Sequence, residues 1–226
     1  MGHRGRGSQH WDVVERERLA LADLLDTLLP RQWEARSLCD GWSVTDVVAH
    51  LTALLSGGAA GLARAALRAH GDVHAANRAV VDAAPPRRRA ELVGELRARA
   101  ASHVHPPGTG SRAPLAEVML HRLDITVPLG LAVDRPVEPW GPVLDFLTSP
   151  QARLGFVPRG RPRVDLAATD LGWSSGAEPG VVGPAASLAL VLAGRPAGLA
   201  CLSGPGLPAL TRWVRARGNN PVASSG

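Results

Sequence analysis

Apolar residues recur at helical spacing in four stretches of the first 130 residues. Between His10 and Leu29, Val13, Val14, Leu21, Leu24, Leu25 and Leu28 form a stripe, and Glu15, Arg16, Glu17 and Arg18 supply a solvated side. Pro30, which has no N–H to give, ends this first helix. Ser43 opens a second helix, with Asp46 three residues on as an approximate capping box. Val44, Val47, Val48, Leu51, Leu54 and Leu55 are its buried stripe, and the helix runs on to about Ala69. An Ala- and Gly-rich stretch of weak periodicity leads through Pro85 and Pro86 to a third helix, from Arg87 to about His103, with Leu92, Val93, Leu96 and Ala100 inward. PPGTG breaks it, and Pro114 then sits in the first turn of a fourth helix, PLAEVMLHRLDI. The linker RQWEARSLCDGW carries Trp33, Leu38 and Trp42, which read as plugs over the end of a helical bundle.

After Gly130 the texture changes. Pro136, Pro139, Pro142, Pro150, Pro158 and Pro162 punctuate a segment with one short helix, about Trp140 to Leu147. RVDLAATD alternates like a strand, a helix lies between Gly183 and Gly194, and LPALTRWV is a last short helix. The expected fold class is α+β: an antiparallel up-down four-helix bundle over residues 8–131, a smaller α+β domain over 132–217, and a disordered tail over 218–226.

An apolar fraction of 45% over 226 residues suits a globular protein with one good core or two small ones. No apolar run is long enough for a membrane helix, and the charged N-terminus has no hydrophobic signal core, so a cytoplasmic protein without a membrane partner is expected. The net charge is +5, yet all 25 basic residues are arginine, in a chain crowded with Ala, Gly and Pro. That pattern reflects the coding bias of a GC-rich genome. Apart from Arg87, Arg88 and Arg89 the arginines are spread among acids, so no nucleic-acid partner is expected. Cys39 and Cys201 are far apart, show no metal-ligand spacing and are expected to be reduced. No cation flanks Cys39 along the chain, which favours a small buried filler over a reactive thiolate.

The candidate chemistry lies in the fourth helix. Glu117 and His121 are four residues apart and project from one face, with Asp124 three residues further on. Such a pair suits a two-toothed grip on a divalent metal, and it also suits an ordinary surface hydrogen bond. His50 falls at the inner edge of the second helix's stripe, either as a buried neutral histidine bonded to a carbonyl or as a further ligand. His70 and His74 form another such pair, but in a polar segment without an apolar face. A buried Glu117 without a partner would cost several kcal/mol, so a cation opposite it is expected; without that cation, Glu117→Gln should be neutral or stabilising. Asp124 is placed to orient His121 from behind, and equally to pair with Arg122 or solvent.

SLCDGWSVTDVVAHL, LAEVMLHRLDITVPLG, ATDLGWSSG, GPAASLALVLAGRP and LSGPG together resemble the mycothiol-dependent maleylpyruvate isomerase family of actinobacterial proteins, whose N-terminal half is a DinB-like metal-binding helical bundle. The resemblance implies a divalent metal, usually zinc, held by His50, Glu117 and His121. It implies mycothiol as cofactor and an isomerase or S-transferase acting on an electrophilic small molecule. The expected assembly is a monomer or homodimer. It is weakest between Gly57 and Arg112, where no substrate-binding residue carries over. A non-catalytic metal-bearing module that binds a ligand or a protein is the competing reading.

Overall fold

The computed structural model describes residues 5–68, 78–79, 81–82, 87–105, 109–132, 134–178 and 180–218. His70, His74, the connection through Pro85 and Pro86, and residues 219–226 of the expected disordered tail lie outside them. The described chain is mostly helical and has a small three-stranded sheet in its C-terminal part, an α+β composition. It divides into two compact units, one up to residue 133 and one from residue 134. No described helix is long and apolar enough to cross a membrane.

The first unit comprises α1 (Gly5–Asp26), a single turn α2 (Pro30–Trp33), α3 (Val44–Arg68), α4 (Arg89–Ala98) and α5 (Arg112–Thr126). Helices α1 and α3 each pack on both α4 and α5. Val14, Leu21 and Leu25 of α1, Val44, Val47 and Val48 of α3, Leu92 and Leu96 of α4, and Leu115 and Ile125 of α5 are withdrawn from water. Helix α3 starts where its cap predicts: Ser43 N donates to Asp46 Oδ2 at 2.8 Å, and Asp46 N donates to Ser43 Oγ at 3.2 Å. Helix α5 is buried all round, every residue from Ala113 to Thr126 except Glu117. A helix surrounded on every side is a central one.

Three details of the sequence reading are corrected here. Helix α1 stops at Asp26, and Pro30 begins α2, because the missing N–H of proline costs nothing at a first helical position. Helix α4 is shorter than expected, Arg89–Ala98, with a turn through Arg99 and Ala100 after it. Glu17 and Arg18, expected on a solvated face, are only 3% and 5% exposed. Their helical phase explains this, since both lie three or four residues from Val14 and from Leu21, on the buried stripe itself. Arg18 Nη1 donates to Ala100 O at 2.9 Å and Ser102 O at 2.6 Å, carbonyls just past the end of α4. Burial pulls Arg18 down to about 10, opposed by the charge of Glu117, so it stays a cation at neutral pH. Glu17 meets Arg122 of α5, whose Nη2 donates to Glu17 O at 2.7 Å and lies 3.2 Å from Glu17 Oε2.

The second unit comprises α6 (Trp140–Thr148), a 3-10 turn (Pro150–Leu154), β1 (Leu166–Ala168), β2 (Trp173–Ser174), β3 (Val181–Gly183), α7 (Ala185–Leu192), a second 3-10 turn (Pro196–Cys201) and α8 (Leu207–Gly218). The sheet order is β2-β1-β3, with Ala167 opposite Ser174 in an antiparallel pair and opposite Val182 in a parallel one. Helix α7 packs on α6, β1, β3 and the second 3-10 turn. Asp170 Oδ1 accepts from Ala185 N at 2.8 Å and so caps α7 from across the unit. Gly183 leaves room for the chain beside it: a Cβ there would stand 2.6 Å from Cys201 O.

Replacing Arg122 by Ala removes the cation that faces the buried Glu17 carboxylate. The expected loss of stability is about 3–5 kcal/mol by denaturant unfolding, whereas Glu17→Gln combined with Arg122→Met should recover most of it.

Candidate metal centre

Helix α5 sets Glu117 and His121 one turn apart, and α3, packed against α5, brings His50 to them. Glu117 Oε1 lies 2.8 Å from His50 Nε2 and 3.2 Å from His121 Nε2. Both histidines are buried, while the Glu117 side chain keeps 20% of its exposure. The indole of Trp42 stands 5.2 Å from the His50 ring. The outer nitrogen of His121, Nδ1, is 2.9 Å from Oδ2 of the wholly buried Asp124. Every site residue singled out from the sequence, His50, Glu117, His121 and Asp124, therefore lies in one hydrogen-bonded group.

One member of that group was missed. Cys39 is half-buried, and its Sγ donates to Asp124 Oδ2 at 3.1 Å and lies 3.8 Å from His121 Nδ1. The reading of Cys39 as a buried filler weighed only its neighbours along the chain. A short turn puts it there: Val44 N donates to Ala35 O at 3.0 Å, Ser37 N to Trp42 O at 2.9 Å, and Gly41 takes a positive φ of 71°. Leu38 N then donates to Asp124 O at 3.0 Å and ties the turn to α5. The available signal was that Cys39 stands in the same SLCDGWSVTDVVAHL segment as His50.

Burial pushes the Glu117 carboxyl up, but hydrogen bonds and charge from His121 and His50 outweigh it and hold Glu117 well below the usual carboxylate range. Burial disfavours the His121 imidazolium, yet hydrogen bonds to Asp124, Cys39 and Glu117 raise it well above its ordinary value. Glu117 is thus partnered by two imidazoles even without a metal, which removes the basis for expecting Glu117→Gln to be harmless in the metal-free protein.

The donor set fits a divalent ion. His50, Glu117 and His121 each offer one ligand atom, all within 4.8 Å of one another. Around a tetrahedral ion with bonds of about 2.0–2.1 Å, neighbouring ligand atoms stand roughly 3.3 Å apart. The observed 2.8 and 3.2 Å are close to that spacing. His121 meets this group through Nε2 and a carboxylate through Nδ1, the arrangement metal-ligating histidines use to fix their tautomer. Cys39, His121 and Asp124 form a second such group, sharing His121.

In the metal-free protein the two shifts act in opposite pH directions. The depressed Glu117 stabilises the fold above its unfolded value of 4.5, and that contribution is lost as pH falls through the folded value. The raised His121 stabilises it below 6.5, and that contribution is lost as pH climbs through the folded value. Thermal melts of chelator-treated protein should therefore peak between 4.5 and 6.5 and decline above. Glu117→Gln should lower the melting temperature within that window.

Residues 14–105 match the family described as mycothiol maleylpyruvate isomerase N-terminal domain. Among curated proteins and among solved structures, none matches the chain. The matched span includes Cys39 and His50 and stops before Glu117, His121 and Asp124. The similarity to that domain family thus covers less than half of the chain.

Proposed function

We propose that this protein is a metal-dependent enzyme that directs a small thiol, mycothiol, at an electrophilic small molecule, with isomerisation or thiol transfer as the outcome. The observation that carries this reading is the convergence of His50 Nε2 and His121 Nε2 on one oxygen of Glu117, in a chain whose residues 14–105 match a family named for a mycothiol maleylpyruvate isomerase. His50, Glu117 and His121 would hold the ion, and their two imidazoles and one carboxylate suit zinc. Once bound, such an ion makes a thiol available as thiolate at neutral pH.

The protein's own groups prepare this. Asp124 accepts the Nδ1 proton of His121 and thereby leaves the Nε2 lone pair for the metal. Cys39 donates to the same Asp124 oxygen and holds it toward the ring. Glu117, the one part-exposed residue of the three proposed ligands, marks the side from which thiol and electrophile approach. Three protein donors, rather than four, are the number that catalytic zinc sites use. The thiolate sulfur adds to an activated double bond, forming a C–S bond and moving the π pair toward the activating carbonyl. Rotation and expulsion of the thiolate return the double bond with the other geometry; retention, with uptake of a proton, gives the conjugate.

The same reading takes residues 8–131 as a DinB-like antiparallel four-helix bundle, 132–217 as a C-terminal α+β domain and 218–226 as a tail. It takes the protein as a cytoplasmic monomer or homodimer whose partners are the thiol and the electrophile. The four-way packing of α1 and α3 with α4 and α5 supports the bundle.

Elemental analysis tests the ligands. The parent chain and His74→Ala should carry about one zinc per chain, and His50→Ala and His121→Ala should carry little. Unchanged zinc in His121→Ala would overturn the site. Against a panel of electrophiles, consumption should depend on mycothiol and should be lost in Glu117→Gln. Metal retention without any thiol-dependent turnover would leave a metal-bearing binding module instead.

A further inference from the structure

The second unit contains a cavity of about 830 Å³, open to solvent and lined entirely by its own residues. Arg161, Arg163 and Asp165 line it from the segment that leads into β1, Trp173 from β2, Asp145 from α6, and Glu178 from the turn before β3. Trp173 Nε1 donates to Asp145 Oδ1 at 2.8 Å, which fixes the indole in the wall. A ring in that position gives a flat apolar surface with its one polar atom already satisfied.

The remaining charges of the cavity are not satisfied in this way. Arg161 is half-buried and makes no hydrogen bond or ion pair among the described residues. Burial lowers its pKa, and neighbouring Arg153 pushes in the same direction. A guanidinium carries five N–H donors, and leaving them without acceptors while removing water from them is unfavourable. Arg163, Asp165 and Glu178 are exposed to water, and their side chains have no partner among the described residues. The Asp165 carboxylate packs so closely on Gly176 that a Cβ there would collide with it. Paired charges elsewhere in the molecule, such as Arg122 with Glu17, show the ordinary arrangement for a guanidinium out of water. The cavity therefore gathers two arginines and two carboxylates that have no partner among the described residues, together with an anchored ring.

Ligand chemistry follows from that set. A carboxylate offers two oxygens to an arginine fork, where it is held bidentately. A phosphate dianion would meet Asp165 and Glu178 and is disfavoured by them. Those two carboxylates accept hydrogen bonds, so the ligand needs amino or hydroxyl groups of its own. We propose that the cavity binds a small carboxylate bearing amino or hydroxyl donors, with Arg161 and Arg163 on its carboxylate, Asp165 and Glu178 on its donors, and its body against Trp173. This site does not rest on the metal-centre reading.

The test is calorimetric titration of the full chain with gluconate and with serine, which separate a hydroxy acid from an amino acid, alongside acetate, glucose and inorganic phosphate. At least one of the first two should bind, and acetate and glucose should bind more weakly, since each offers half of the recognition. Arg161→Gln should weaken binding by about tenfold or more, whereas Arg16→Gln, exposed on α1, should leave it unchanged. Binding should alter tryptophan fluorescence in the parent and not in Trp173→Phe. Absence of binding by both gluconate and serine, tighter binding of phosphate, or affinity unaffected by Arg161→Gln would each overturn the proposal.

Discussion

A carboxylate shared by two buried imidazoles sets the terms on which the first unit is assembled. Glu117 projects from a helix that has almost no solvent on any side, and a charge in such a place persists only with partners. Helix α5 carries three more ionisable side chains in the same surroundings, His121, Arg122 and Asp124. Partners come from three elements: His50 of α3 meets Glu117, Glu17 of α1 meets Arg122, and Cys39 of the turn before α3 meets Asp124. Apolar packing alone would allow neighbouring helices to slide against α5 at small cost. Four polar groups with directional partners do not, because a shift of a few ångströms leaves a buried donor or acceptor unmet.

The two charged groupings on α5 differ in access, and that difference separates structure from chemistry. Arg122 and Glu17 have side chains only 6% and 4% exposed, so water and ligands reach neither. Around Glu117 the histidines are equally sealed, but the carboxylate itself keeps a fifth of its surface open. A closed pair holds α1 and α5 in register, whereas an open one stays accessible from solvent. The Nδ1 side of His121 is occupied by Asp124 and Cys39.

Cys39 shows how a loop can serve a helix. Its position depends on backbone hydrogen bonds between residues 35 and 44 and on Leu38 N reaching the carbonyl of Asp124. The thiol then meets the same Asp124 oxygen that receives His121. The turn that delivers α3, with its histidine, thus also delivers a support for the other histidine.

Much of the fold was legible without coordinates, because helical period and caps are local. The Ser43 cap, the stripes of α3 and α4 and the short helices after Gly130 all appear near where the periodicity puts them. Local spacing also determined that Glu117 and His121 are neighbours and that His50 turns inward, since each is a statement about one helix. What meets an inward-facing group was not legible in this way. Only tertiary packing decided that Arg18 would cap the end of α4, that Glu17 would face Arg122, and that Cys39 would touch Asp124. Glu17 and Arg18 were read as solvated from residue type, although their phase placed them with Val14 and Leu21. The strand predicted over RVDLAATD shrank to Leu166–Ala168, because a strand extends only where a neighbour pairs with it. Direction along a helix is written in a few adjacent residues, whereas a partner is chosen across 67 residues for His50 and Glu117 and 85 for Cys39 and Asp124, by how α3 and the turn before it pack on α5.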